Sequence, residues 1–303
     1  MRIDELKDLL KKFQTNIFFN QDLKKKNWFN IGGKSKVFYK AEDLKELIEF
    51  LKILNNEEKI YIIGAGSNTL ISDDLFDGVV IKLGQNFNRI SLLGNDVIIS
   101  GAAVLDKKLS DYALNNSISG FEFLACIPGT IGGGIKMNAG CFGKEIKDIL
   151  ISVQAIDKYG NVITIPANEI KFEYRSNNLP DDLIFLSASF KGKKGDAVEI
   201  KKKTLELKTI KDKNQPSKIK TSGSTFKNPI TQTDKKVWEL IKESVPLNTQ
   251  FGDACISEKH SNFFVNKGDA KFNDMKKLID FVTKKVFEKT GISLEKEIKV
   301  IEN

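Results

Sequence analysis

The residues of this 303-residue chain that can do chemistry fall into two glycine-rich stretches and a few polar runs. Gly64-Ala65-Gly66-Ser67-Asn68 directly follows the apolar run KIYII. Glycine lets backbone N–H groups turn toward an anion with no Cβ in the way, and Ser67 and Asn68 add side-chain hydrogen bonds. A plain tight turn fits the same five residues. A dinucleotide loop of the G-x-G-x-x-G kind fits badly. Its third glycine would fall at Thr69, and the next strand begins about ten residues on, too soon for a crossover helix. The second stretch is Ile127-Pro128-Gly129-Thr130-Ile131-Gly132-Gly133-Gly134, then Met137-Asn138-Ala139-Gly140. No Gly-Lys-Ser/Thr follows at Walker spacing. So much glycine beside hydrophobic residues predicts close backbone approach to something large. Two such loops, about 60 residues apart, suit a ligand with a pyrophosphate and a ring system.

The polar candidates are fewer. Arginine occurs only at Arg2, Arg89 and Arg175, and histidine only at His260. A guanidinium is always charged and grips a carboxylate with two parallel hydrogen bonds. Ser224 lies in Ser222-Gly223-Ser224-Thr225-Phe226-Lys227-Asn228-Pro229. A serine hydroxyl is a poor acid in water and donates only when held against a strongly basic atom. Glu295 and Glu297 share a face if they lie on a strand, so the pattern alone does not choose between them.

Composition narrows the classes. Lys+Arg number 48 against 40 Asp+Glu, a formal charge of +8. A nucleic-acid binder concentrates its basic residues and interleaves aromatics. Here lysine is spread along the chain among acids, which argues for no nucleic-acid partner; only Lys201 to Lys220 is dense. Cys126, Cys141 and Cys255 are odd in number and widely spaced, against a disulfide framework or a four-cysteine zinc site. One histidine excludes a multi-histidine zinc site, so no metal is expected. No apolar run approaches the ~20 residues that span a bilayer. The start of the chain lacks a signal-peptide core, so no membrane association and a cytoplasmic location are expected. A monomer is expected.

The elements that must position these residues are legible in outline. Residues 4–13 and 42–54 have helical spacing, and residues 104–116, 195–212, 233–243 and 272–289 are further helix candidates. KIYIIGAG (59–66), 78–83, 96–103, 183–190 and 294–301 read as strands, and 151–167 as two strands joined by a Tyr-Gly-Asn turn. Gln215-Pro216 breaks the basic helix and marks the domain boundary.

Together these segments resemble the UDP-N-acetylenolpyruvoylglucosamine reductase family, from about Trp28 to Ile301. Asn27-Trp28-Phe29-Asn30-Ile31-Gly32-Gly33 resembles the lead into its flavin domain. Gly64 to Leu70 resembles its FAD pyrophosphate loop, and Gly120 to Leu124 with Ile127 to Gly140 its second flavin loop. Ser222 to Pro229 resembles its serine motif, and Leu294-Glu295-Lys296-Glu297-Ile298 its C-terminal glutamate motif.

The resemblance implies an α+β protein with an FAD-binding fold of the vanillyl-alcohol oxidase type (PCMH-type). That domain would cover 1–210, in lobes of about 1–84 and 85–210, with a smaller α+β substrate-binding domain at 211–303. It implies that NADPH reduces FAD, which then reduces a UDP-sugar enolpyruvyl ether. Arg175, Ser224 and Glu297 match the catalytic positions. Gly32, Gly33, Gly64, Ala65, Gly66, Ser67 and Asn68 match cofactor-binding positions, as do Pro128, Gly129, Thr130, Gly132, Gly133, Asn138, Ala139 and Gly140. Lys227, Asn228 and His260 match substrate-binding ones. His260 lies outside the flavin segments, so FAD is expected to be non-covalent. An FAD-dependent oxidase of the same fold, acting on an alcohol or sugar, is the alternative; it has no need of Ser224 and Glu297 in these contexts. The chain departs from the pattern at Lys211-Asp212-Lys213, where arginine is expected before Gln215-Pro216, and at Cys126, where a small residue is expected. The short interval between Arg175 and Ser224 resembles the family's form without the tyrosine-bearing insertion.

Overall fold

The computed structural model describes residues 3–13 and 15–303. The 42–54 periodicity becomes helix Leu44–Leu54, which buries Leu47, Phe50, Leu51 and Leu54 on one face. Asp43 caps it by accepting the Glu46 N–H at 2.9 Å, and left-handed Asn55 ends it. The 4–13 pattern is divided into helix Ile3–Leu9 and a 3-10 turn, Lys11–Phe13. The helix candidates at 104–116, 195–212 and 272–289 form as Asp106–Asn115, Ala197–Asn214 and Phe272–Thr290. The 233–243 helix starts late, at Val237, because Gln232 and Thr233 N–H groups bond to Pro229 O in a turn.

Two sheets carry the first half of the chain. One has the order Ile17–Asp22, Lys34–Ala41, Phe76–Leu83, Ile60–Ile62, with the last two parallel. The other is antiparallel: Val162–Pro166, Leu150–Ile156, Ile184–Lys191, Val97–Gly101, Ile90–Leu93. The 151–167 reading is thus a hairpin, with Ile156 opposite Val162. One apolar cluster joins Val37, Tyr39, Phe50 and Val79 to Ile156, Ile184 and Leu186 of the second sheet. Among the described residues, no helix is long and apolar enough to cross a membrane.

The chain divides into two compact units: 1–19, 36–65 and 77–211, then 20–35, 66–76 and 212–303. An uninterrupted 1–210 domain is therefore corrected: two N-terminal segments belong with the C-terminal unit. The reason is burial and pairing. Phe29, Ile31 and Leu70 are buried among Phe226, Phe264, Met275 and Val282, and Thr69–Ile71 runs parallel to Lys299–Ile301. The expected 294–301 strand is also corrected, since only Lys299–Ile301 is regular. Residues 294–298 are held instead by an isolated Phe226–Lys296 bridge.

Candidate functional site

In the first unit Gly64 meets the second glycine stretch. A Cβ added at Gly64 would lie 2.4 Å from Thr130 Oγ1, so the loops approach too closely for any side chain. In the second unit, Gly66 has φ +66°, the left-handed region that favours glycine. Among the described residues, the N–H groups of Gly66, Ser67 and Asn68 donate to no protein acceptor, which is what an anion-binding turn requires. Pro128 and Gly133 are exposed at the surface of the second stretch, while Ala65, Gly129, Gly132, Ala139 and Gly140 are half-buried. Within the first unit, glycine backbone packed where no Cβ has room suits close approach by a flavin dinucleotide. Gly32 and Gly33 have another explanation. A Cβ at Gly33 would fall 2.1 Å from Asp73 O, so these glycines permit packing on residues 71–74.

Asn138 is fully buried, with φ +41°. Its Nδ2 donates to Glu145 Oε2 and Glu173 O, both at 3.0 Å, and its Oδ1 accepts the Lys147 N–H. It therefore pins the loop from behind. Arg175 occupies the turn between Phe172–Glu173 and Ser176–Asn177 with φ +58°, a backbone that few non-glycine residues adopt. Its Nη2 donates to Gly140 O at 2.8 Å and its guanidinium lies 4.9 Å from the Tyr174 ring centre. Glu145 stands 3.9 Å away. Arg175 is thus tied to the end of the second glycine stretch. The Cys141 thiol is pushed up by its hydrogen bond with Cys126 and by burial, against the pull of Lys211 and Arg175. Cys126 therefore fills its place as one of a thiol pair.

The second unit holds the other candidates. Ser224 is half-buried and bridges Phe263. Asn262 clamps the segment: its Oδ1 accepts the Phe226 N–H and its Nδ2 donates to Phe226 O, at 3.0 and 2.9 Å. The Glu297 N–H donates to Thr225 O at 2.8 Å, and Glu297 O accepts from Asn68 Nδ2 at 3.0 Å. So Ser224, Glu297 and Asn68 come from one small, hydrogen-bonded region. The two acids are now distinguishable. Glu295 is 72% exposed and ion-paired to Lys227, whereas Glu297 is half-buried. Asn228 Oδ1 accepts the Val237 N–H at 3.0 Å and so also anchors a helix start. His260 Nδ1 accepts the Asn262 N–H at 3.3 Å, and its ring lies edge-on to Phe263. Burial holds its pKa below the ordinary histidine value, so it is neutral at pH 7.

Two residues escaped the sequence reading. Glu145 holds Asn138 and faces Arg175, but it sits in an unremarkable Lys-Glu pair. Asp106 is fully buried beneath the second glycine stretch, and neither carboxylate oxygen has a hydrogen-bond partner among the described residues. A Cβ at Gly129 would meet its Oδ2 at 2.6 Å. Burial alone raises its pKa to about 8. In sequence it looks like any acid in a first helical turn.

Comparison with known proteins shows the family of the chain. Residues 35–166 match the FAD binding domain, which defines a flavoprotein. Residues 215–301 match the C-terminal domain of UDP-N-acetylenolpyruvoylglucosamine reductase. A UDP-N-acetylenolpyruvoylglucosamine reductase of Pelagibacter ubique (strain HTCC1062) is 66% identical over 301 residues, 99% of this chain and 100% of that protein. One of Rickettsia massiliae (strain Mtu5) is 47% identical over 282 residues, 92% of this chain and 94% of the relative. The crystal structure of the enzyme from Thermus caldophilus superposes with a TM-score of 0.81 at 31% identity, covering 94% of this chain and 98% of that one. The chain belongs to the UDP-N-acetylenolpyruvoylglucosamine reductase family.

Proposed function

We propose that this chain reduces UDP-N-acetylglucosamine enolpyruvate to UDP-N-acetylmuramate, using NADPH and non-covalent FAD. The carrying observation is that both the FAD-binding and the reductase-specific C-terminal segments are present in one chain that matches its relatives end to end. The relatives' names support the reductase and give no support to the oxidase alternative.

FAD, which Gly64, Ala65 and the stretch from Pro128 to Gly140 would hold, would supply hydride drawn from NADPH to the enolpyruvyl methylene carbon. The neighbouring carbon then gathers negative charge that spreads into the substrate carboxylate. Arg175 answers that charge, because its guanidinium stays cationic and is oriented by Gly140 O. Ser224 donates the proton that the enolate carbon needs; the Asn262 clamp keeps its segment from moving. Glu297 helps by holding a proton or a hydrogen bond, since a bare carboxylate would repel the enolate. Lys227 and Asn228 contact polar groups of the substrate, and neutral His260 supports that surface without charge. Lys211 keeps the positive charge expected of an arginine but lacks its planar fork.

The test is spectroscopic. Purified protein is expected to be yellow, to bleach under anaerobic NADPH, and to recover its colour when the enolpyruvyl substrate is added. A colourless protein that cannot be reconstituted with FAD, or bleached protein indifferent to the substrate, would end this reading.

A further inference from the structure

The second unit contains a pocket of about 900 Å³ whose wall includes none of Ser224, Lys227, Asn228, His260 or Glu297. Lys25, Lys218, Lys220, Lys259 and Lys267 converge on it, with Glu258 the one acid among its lining residues. Among the described residues, none of these lysines is ion-paired with a carboxylate. The Lys220 and Lys259 ammonium groups donate instead to neutral carbonyls, Gly268 O and Asp212 O, both at 2.6 Å. Cations gathered in a concavity repel one another and create a positive field that an anion relieves. Lys218 and Lys220 come from the one lysine-dense run in the sequence.

Two more observations refine the ligand. Trp28 lines the same pocket and is 44% exposed, so its ring is open to a ligand there. Its backbone is fixed, because its N–H donates to Gly66 O and the preceding Asn27 amide donates to Leu23 O and Ile31 O. An exposed indole on a fixed backbone is a surface on which a base stacks. The wall also holds two non-glycine residues in left-handed backbone, Asn30 at φ +53° and Lys218 at φ +58°. Such conformations cost about 1 kcal/mol or more and collect at ligand clamps. The volume lies within the range of roughly 300–1,000 Å³ typical of small-molecule sites.

We propose that this pocket is a second nucleotide site. It would take a nucleoside diphosphate, with the base on Trp28 and the diphosphate among Lys218, Lys220 and Lys267. The site is separate from the one that holds the enolpyruvyl sugar.

The test uses FAD-loaded enzyme saturated with its UDP-sugar product, dialysed against radiolabelled ADP up to about 1 mM, a weak-binding ceiling. One ADP per chain is expected, weakened by added NaCl as screening requires. Lys218→Ala with Lys220→Ala should weaken ADP at least about tenfold, the scale for losing charge-assisted hydrogen bonds, with FAD content unchanged. Trp28→Leu should weaken ADP while leaving inorganic diphosphate nearly untouched. No ADP bound, ADP bound equally by the double lysine variant, or equal loss of ADP and diphosphate in Trp28→Leu would overturn the proposal. Turnover on the same samples reads the reductase assignment separately, and the lysine dependence of ADP binding stands whether or not turnover is found.

Discussion

Gly64 and Thr130 approach so closely that one added carbon would collide, whereas Ser224 sits half-buried on an isolated bridge. The two regions are built from different material. Around Gly64 and Gly129 the working surface is backbone, and side chains are excluded or turned inward, as Asn138 and Asp106 are. Around Ser224 the working surface is side chains, and the backbone is merely held, by Asn262 and by residues 295–297. In the proposed reading, a large planar cofactor would be gripped by shape and backbone dipoles. A proton transfer needs a particular hydroxyl and acid. Damage to the first region should therefore change what is bound, and damage to the second what reacts.

The largest expected effect tests that division directly. Ser224→Ala should bind FAD and be reduced by NADPH at the normal rate. Reoxidation by the enolpyruvyl substrate should slow by ~10²–10⁴-fold, the usual loss for a positioned acid. Stopped-flow absorbance follows both half-reactions, and an unchanged reoxidation rate would remove Ser224 from its role. Glu297→Gln should also impair only the second half-reaction, by a smaller factor.

The next effect belongs to the backbone-built region. The Asp106 carboxyl is raised to about 8 from an ordinary 3.8 by burial. The unfolded chain releases this proton near 3.8, while the folded chain keeps it until about 8. Stability from this group is therefore complete below the unfolded value and falls as pH rises across that window. The slope is roughly tenfold in the unfolding equilibrium per pH unit. Asp106→Asn keeps the shape and removes the proton, so its melting temperature should lose that downward slope. Calorimetric scans from about pH 5 to pH 8 would refute this if both proteins gave the same slope.

How much of this was legible follows from the same contrast. The glycine stretches were readable because only glycine tolerates contacts such as Gly64 against Thr130, so the geometry leaves its mark in residue type. Helices such as Leu44–Leu54 were readable from the spacing of Leu47, Phe50, Leu51 and Leu54. The transfer of residues 20–35 and 66–76 to the second unit was not, because Phe29, Ile31 and Leu70 look the same whichever core receives them. Asp106 was not, because burial of an acid is decided by distant chain passing over it. The 294–301 reading failed for a related reason: an alternating pattern does not reveal where its hydrogen-bond partners stop.

Gly64→Ala gives a more modest test of the backbone-built region. The added methyl meets Thr130 Oγ1, and overpacking of this kind costs about 1–3 kcal/mol. FAD affinity, read by flavin fluorescence quenching, should fall about tenfold or more. Thr130→Ala in the same chain removes the colliding oxygen and should recover part of it. If the double variant binds no better than Gly64→Ala, the contact between the loops does not set the affinity.

The smallest effect is expected at Glu295, and it sharpens the side-chain-built region most. Glu295 and Glu297 are indistinguishable by pattern if both lie on a strand, but the segment is irregular and gives them different surroundings. Glu295 points to solvent and pairs with Lys227. An ion pair whose acid is exposed contributes about 0–1 kcal/mol, because water screens it and two long side chains must be ordered. Its loss leaves Lys227, whose side chain is 17% exposed, without that partner. Glu295→Gln should therefore leave both half-reactions within about threefold of the parent and lower the melting temperature by a degree or two at most, on that same scale. The comparison with Glu297→Gln is the useful measurement. If Glu295→Gln proved the slower of the two in substrate-driven reoxidation, the acid that works beside Ser224 would be the exposed one, and its pairing with Lys227 would have to break during turnover.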